Sequence, residues 1–361
     1  MTKTVLQVLP RLNSGGVERG TVELDKYLRD KGWNSIVCSE GGALVSPDMH
    51  HISLDVASKN PLTIIKNIFK LESVIRQNKV DIVHARSRAP AWSAYFAAKR
   101  AGVPFVTTVH STYSCQNAFK RWYNGVMVKG VRTIVASDYM LAYIQKHFSG
   151  KFNQDHVRII PRGLDPSVFN PSEVTPKDLD ALHTEWGISG DTDIILLPGR
   201  QTRRKGHLLA LDAFKPIAQQ AILVMVGEFS KSSTYYNQIV THANELGIFD
   251  RVRIFDNDPN IRRAYAAAKI VLIPSQTPEA FGRTVIEAQA MGCTVVSSDF
   301  GTPKYLIEDG KTGWLVPYDS VTDWTDKIKQ TLESPRMPRH IEHTLEKMCS
   351  STVSVYKEVT D

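Results

Sequence analysis

Between Asp81 and Asp138 the chain carries no acidic residue, although it holds 37 Asp and Glu in all. The same interval contains Arg86, Arg88, Lys99, Arg100, Lys120, Arg121, Lys129 and Arg132, interleaved with Trp92, Tyr95, Phe96, Tyr113, Phe119, Trp122 and Tyr123. A basic, aromatic surface attracts anionic lipid headgroups, phosphorylated glycans or nucleic acid; alternatively the aromatics are core and the charges an ordinary solvated face. No recognition motif for nucleic acid accompanies the charge, so no nucleic-acid partner is expected. Cysteine is scarce: Cys38, Cys115, Cys293 and Cys349 are scattered, without the paired spacing of a metal or redox motif. A reducing compartment, the cytoplasm, is therefore the expected location. No apolar run approaches the roughly 20 residues that span a bilayer. The opening "MTKTVLQVLPRLNSGG" is interrupted too soon by Pro10 and Arg11 for a secretion signal and reads as a first strand. The Gly-x4-Gly-Lys-Ser/Thr order of a Walker loop is missing as well.

What is present is alternation. A chain of 361 residues, 42% hydrophobic and 22% charged, has material for two globular domains with large cores. Strand-length apolar runs ("KTVLQVLP", "NSIVCSE", "VDIVHA", "VPFVTTVH", "RTIVAS", "HVRIIPRG") are separated by amphipathic helical stretches such as "VERGTVELDKYLRDKG". The proline-rich "PRGLDPSVFNPSEVTP", Pro161 to Pro176, breaks the rhythm as a linker would. The pattern then restarts with "DIILLPGR", "AILVMVGE", "RVRIFD", "KIVLIPS" and "CTVVSSD". This βαβ order predicts an α/β protein of two doubly wound, Rossmann-like halves facing each other across a cleft, with ligands bound beyond the carboxyl ends of the strands.

Four stretches at such strand ends carry candidate chemistry. In "PEAFGRTVIEAQAMG", Glu279 falls on a loop, the amides near Phe281 and Gly282 open a helix, and Glu287 lies about a turn and a half into it. A phosphate on those amides would leave each carboxylate near a different part of one ligand; otherwise Glu279 complements the helix dipole and Glu287 is merely solvated. In "LLPGRQTRRKGH", Arg200 and Lys205 flank a loop between Gly199 and Gly206, and their cationic heads suit a departing diphosphate. Arg203 and Arg204 read as surface charges. After the first strand, Gly15 and Gly16 permit a tight turn and close backbone approach to a ligand, while Glu18 is either functional or a dipole partner. Finally, His110 ends the strand "VPFVTTVH", and His84 with Arg86 holds the equivalent place in "VDIVHARSR"; each points to the ligand crevice or is simply structural.

With these stretches in place, nearly the whole chain resembles the retaining family-four glycosyltransferases of GT-B fold. The resemblance rests on the Glu-x7-Glu motif "EAFGRTVIE", the "PGR…KG" loop, the glycine pair after strand one and "GKTGWLVP". "HARSRAPAW" looks like a branch that assembles bacterial envelope glycans, including lipopolysaccharide. The resemblance implies an N-terminal acceptor-side domain, 1–165, joined by a C-terminal helix, 340–361, and a nucleotide-sugar-binding domain, 166–339. It implies that Arg200 and Lys205 hold the donor diphosphate, Glu279 the sugar hydroxyls, Glu287 the ribose, and Phe281 and Gly282 backbone contacts. Gly15 and Gly16 would approach the distal phosphate, and His110 the donor sugar. His84, Arg86 and Arg88 are the candidate acceptor contacts. Neither metal nor cofactor is expected, the nucleotide sugar being substrate. The expected partners are that donor and an anionic glycan or glycolipid, reached by peripheral docking at the inner face of the cytoplasmic membrane. Two departures stand out. "FGTPKYLI" has Lys304 and Tyr305 where relatives place an acid, and "PRGLD" has Arg162 where asparagine is common. A sugar-nucleotide epimerase or hydrolase on the same scaffold, or a non-catalytic glycan- or nucleotide-binding protein, are the alternative functions.

Overall fold

The computed structural model describes residues 2–13, 15–150, 152–189 and 192–361. The chain divides into two compact units, Met1–Arg162 with Leu345–Asp361, and Gly163–Thr344.

In the first unit the strands are β1 Thr4–Val8, β2 Asn34–Ser39, β3 His50–Ser53, β4 Ile82–Ala85, β5 Phe105–Val109, β6 Arg132–Val135 and β7 Val157–Ile159. They form one parallel sheet in the order β3-β2-β1-β4-β5-β6-β7. Helices α1 Gly16–Asp30, α2 Pro61–Gln77, α3 Arg88–Ala101, α4 Ala118–Asn124 and α5 Asp138–Phe148 run between them. Every residue of β1 and β5 is buried, which is why these strands read as unbroken apolar runs instead of alternating ones. Side-chain caps start α2 and α5: Asn60 Oδ1 accepts from Leu62 N at 2.9 Å ahead of Pro61, and Ser137 Oγ from Met140 N at 3.3 Å.

The second unit holds α6 Pro176–Trp186, β8 Asp193–Pro198, α7 His207–Phe214, β9 Ala221–Val226, α8 Thr234–Glu245, β10 Val252–Phe255, α9 Ile261–Ala267 and β11 Ile270–Ile273. It continues with α10 Arg283–Ala290, β12 Thr294–Ser298, α11 Pro303–Leu306, β13 Trp314–Val316 and α12 Val321–Leu332. Its sheet, β10-β9-β8-β11-β12-β13, is also parallel, over a core that includes Leu197, Leu211, Phe214, Met225, Leu272 and Trp324. The last helix, α13 Leu345–Thr360, packs Cys349, Val355 and Tyr356 against Val5, Leu28, Ile82 and Val106 of the first unit. Among the described residues no helix is long and apolar enough to cross a membrane.

In both sheets the strand order reverses beside the first strand of the unit, between β1 and β4 and between β8 and β11. That crevice is where doubly wound sheets bind ligands, because connections leave there in opposite directions and open the carboxyl edge.

Candidate active site

In the second unit the loops leaving β8 and β11 meet at this crevice. Lys205 Nζ donates to Glu279 Oε1 at 2.7 Å, and Ser275 Oγ donates to the same oxygen at 2.9 Å. Arg204 Nε reaches Thr277 Oγ1 at 2.8 Å, and its carbonyl accepts from Gln276 N at 2.7 Å. The loop after β12 adds Thr302, whose N–H donates to the Glu279 carbonyl at 3.0 Å and whose hydroxyl donates to the Ala280 carbonyl at 2.7 Å. Glu279 is thus clamped from three loops. Burial pushes its carboxyl upward, but the Lys205 charge, the hydrogen bonds from Lys205 and Ser275, and the charge of Arg204 outweigh burial and hold it below the usual carboxylate value. Lys205 has three N–H donors and gives Glu279 one of them, so it can also serve a phosphate oxygen.

Arg200, on the same loop as Lys205, is exposed and makes no ion pair among the described residues. Phe281 is buried with its edge toward His343, ring centres 6.0 Å apart, and Gly282 caps α10. Glu287 is buried inside α10, where Arg283 Nε donates to Oε1 at 2.8 Å and the Tyr265 hydroxyl to Oε2 at 3.1 Å. Arg203 and Arg204 are both exposed, yet Arg204 ties the two loops together, a role that its run of like charges did not announce.

In the first unit Gly15 precedes α1 and the Glu18 carboxylate folds back over it; an added Cβ at Gly15 would sit 2.2 Å from Glu18 Oε2. At Gly16 the same position is open space. His110 follows β5. Arg162 donates to its Nδ1, and its Nε2 is buried without a partner. Burial, then the charges of Arg162 and Arg86 and the nearby His84, hold this imidazole well below the ordinary 6.5, hence neutral. A guanidinium only donates, so Nδ1 must be the acceptor and Nε2 must carry the hydrogen.

His84 is a correction. It does not face the crevice: it lies within β4, fully buried, with Nδ1 at 2.6 Å from the Tyr356 hydroxyl of α13 and Nε2 at 2.7 Å from Thr108 Oγ1. Both nitrogens are committed, which leaves none for an acceptor. Arg86 is also buried; it donates to Gln7 Oε1 at 3.3 Å and keeps Nε unpartnered. Arg88, exposed at the start of α3, lies over the Tyr113 ring at 5.1 Å and donates to Asn124 Oδ1 at 3.1 Å. Among the described residues no three His, Cys, Asp or Glu side chains converge as a metal site would.

Two parallel doubly wound units, with cations and a carboxylate at the switch point of the second, present the crevice in which open α/β sheets bind ligands. Known sequences narrow the class. Residues 14–168 match the family described as Glycosyltransferase Family 4, and residues 178–348 the family described as Glycosyl transferases group 1. A glycosyltransferase from Rickettsia africae is 33% identical, with a TM-score of 0.88 over 99% of this chain and 98% of that one. A D-inositol 3-phosphate glycosyltransferase of Xylanimonas cellulosilytica is 27% identical over 276 residues, which is 72% of this chain and only 66% of the relative. The chain therefore spans slightly under two thirds of that relative. Anabaena HepE, solved with UDP and glucose, shares the fold at 18% identity, with a TM-score of 0.79 over 99% of this chain and 95% of HepE. The chain belongs to the family-four glycosyltransferases, which have the GT-B fold.

Proposed function

We propose that this chain moves a sugar from a nucleotide-sugar donor to an anionic cell-envelope glycan or glycolipid, such as lipopolysaccharide, with retention of anomeric configuration. The observation that carries the proposal is the Lys205–Glu279 pair, 2.7 Å apart at the β8/β11 crevice with Arg200 free beside it. Arg200 and Lys205 take the diphosphate, where negative charge grows as the bond to the sugar breaks. Glu279 accepts hydrogen bonds from sugar hydroxyls, Glu287 from the ribose, and the amides at Phe281 and Gly282 face a phosphate. Gly15 and Gly16 let the backbone close on the distal phosphate. The neutral His110 offers Nε2–H to a sugar oxygen; a buried donor without an acceptor costs about 1–3 kcal/mol, which such a contact relieves.

In the proposed step the acceptor hydroxyl oxygen bonds to the anomeric carbon on the face from which the diphosphate departs. The carbon–oxygen bond to the diphosphate breaks, and a leaving phosphate oxygen takes the hydroxyl proton. The cations carry the leaving charge, so no metal is assigned, and the two glutamates position the donor without transferring protons.

For the acceptor, the support is the acid-free region. Phe119 is 71% exposed and Trp122 55%, Trp122 stacks on Trp92 at 4.8 Å, and Lys120 and Arg121 lie on the same short helix. Such a surface docks on an anionic bilayer without inserting, which suits the inner face of the cytoplasmic membrane. A small phosphorylated acceptor is the second reading. The buried Arg86, with an unused Nε, favours it, and the Xylanimonas relative is named for inositol phosphate.

Thermal unfolding against a panel of nucleotide sugars tests the donor, since a ligand at a hundredfold its Kd stabilises the native state by about 2.7 kcal/mol. The cognate donor should then give, by NMR of the product, the donor's own anomeric configuration on an envelope glycolipid. No shift with any donor, or an inverted product, overturns the proposal; transfer to inositol phosphate alone selects the second reading.

A further inference from the structure

Arg162, which follows β7, does more than end the first unit. One arm of its guanidinium donates to the Gly16 carbonyl at 2.9 Å, and the other donates to His110 Nδ1. The side chain passes α1 at Gly20, where a Cβ would lie 3.0 Å from Arg162 Nη1 and 3.6 Å from Arg86 Nη2. A Cβ there would press on the Arg162 guanidinium, so Gly20 leaves it room to lie along α1.

We propose that Arg162 is a positioning residue: it holds His110 as the Nε2–H tautomer and ties that ring to the glycine-pair loop through Gly16. One planar fork thus places both the hydrogen offered to the ligand and the backbone that approaches the phosphate. Asparagine, shorter and neutral, cannot span Gly16 and His110 with a charge between them. The catalytic consequence rests on the assignment of His110 to the donor sugar; the tautomer does not.

The charged and titratable groups set around the ring are Arg162 after β7, Arg86 and His84 from the β4 segment, Glu23 of α1 opposite Arg86, and the Tyr113 phenol near the His110 backbone. The test uses the full chain labelled with 15N-histidine, with His110→Gln to assign the His110 ring signals. In the parent, Nε2 should be protonated and Nδ1 bare, and the ring should not titrate as pH falls from about 7.5 to about 6. In Arg162→Met the ring should become a mixture of tautomers that begins to protonate closer to 6.5, the ordinary value, and kcat/KM for the donor should fall by up to about a hundredfold. Arg162→Lys, which keeps the charge and one donor, should recover part of both. A tether that served only to hold Gly16 would leave the ring signals unmoved.

A parent spectrum showing Nδ1–H or an imidazolium overturns the proposal even if no variant folds, as does an Arg162→Met ring unchanged in tautomer and titration. If the ring behaves as expected but His110→Gln turns the donor over at the parental rate, the role of His110 at the sugar falls while the hold of Arg162 on the ring stands.

Discussion

Lys205 and Glu279 each depend on the other. The carboxylate is partly buried and stays ionised because the lysine faces it, and its folded pKa lies below the ordinary 4.5. The pair's contribution is therefore complete at neutral pH and is lost only as pH drops below about 4.5 toward the folded value. Lys205→Ala should cut kcat by about 10²- to 10³-fold, the usual cost of losing one group that stabilises transition-state charge. It should also move the acid limb of the pH–rate profile upward, because Glu279 keeps its burial and loses its cation. Steady-state transfer rates between about pH 4.5 and 8 check both; an unmoved limb would detach Glu279 from Lys205 during turnover. The types and loop positions of these two residues were legible in the sequence, whereas their pairing was not, since contacts between loops 74 residues apart leave no periodic trace. The two histidines make the same point from opposite sides. The sequence offers His84 and His110 as equivalents, but one sits inside its strand against Tyr356, 272 residues away, and the other sits just past its strand end beside Arg162.

At the scale of elements, the short helical turn before α7 aims Lys205 at Glu279, and Gly206 makes that turn possible. Its φ is +72°, and a Cβ there would sit 1.8 Å from the Pro274 carbonyl oxygen. Gly206→Ala should cost about 1–2 kcal/mol for the left-handed backbone alone, and more because the loop after β11 must retreat. A thermal melt should show the second unit falling by about 2–4 °C per kcal/mol, and affinity for the donor should fall with it, because the displaced loop carries Glu279. A melt within a degree of the parent would mean that the two loops are not packed as described. Long buried parallel strands such as β1, β8 and β9 were easy to read because burial on both faces makes them continuously apolar. The edge strands β3 and β13 were not. β3 is "HHIS", half exposed and polar, and β13 has only three residues, so neither produces a run that periodicity can separate from loop. Arg162 was visible as an oddity in "PRGLD", but its purpose depends on Gly16 and Gly20 of α1 and on His110 after β5, which come from two other segments.

Across the whole molecule, buried neutral histidines are divided unevenly between the units. The first unit holds His84 and His110, both pushed well below 6.5 chiefly by burial, with smaller depressions at His51 and His147. The second unit has His207, lowered to about 4, again chiefly by burial. For each of these groups the unfolded chain binds a proton near pH 6.5 and the folded chain does not. Stability is therefore constant above that value and declines as pH falls from about 6.5 toward the folded pKa. The carboxylates with depressed values, Glu279 and Asp178 in the second unit and Asp48, Glu72, Glu358 and Asp361 in the first, titrate below 4.5 and stay outside this window. Each unit has its own apolar core, so the two should respond separately. Calorimetry between about pH 7.5 and 5 should show the first unit's transition descending further than the second's, with more protons taken up on its unfolding. Proteolytic fragments collected between the transitions would assign them. The first fragment to be lost should include α13, because protonating His84 leaves neither ring nitrogen able to accept and puts a charge against the buried Tyr356 hydroxyl of that helix. Equal descent of both transitions would mean that these histidines are not held neutral by the fold.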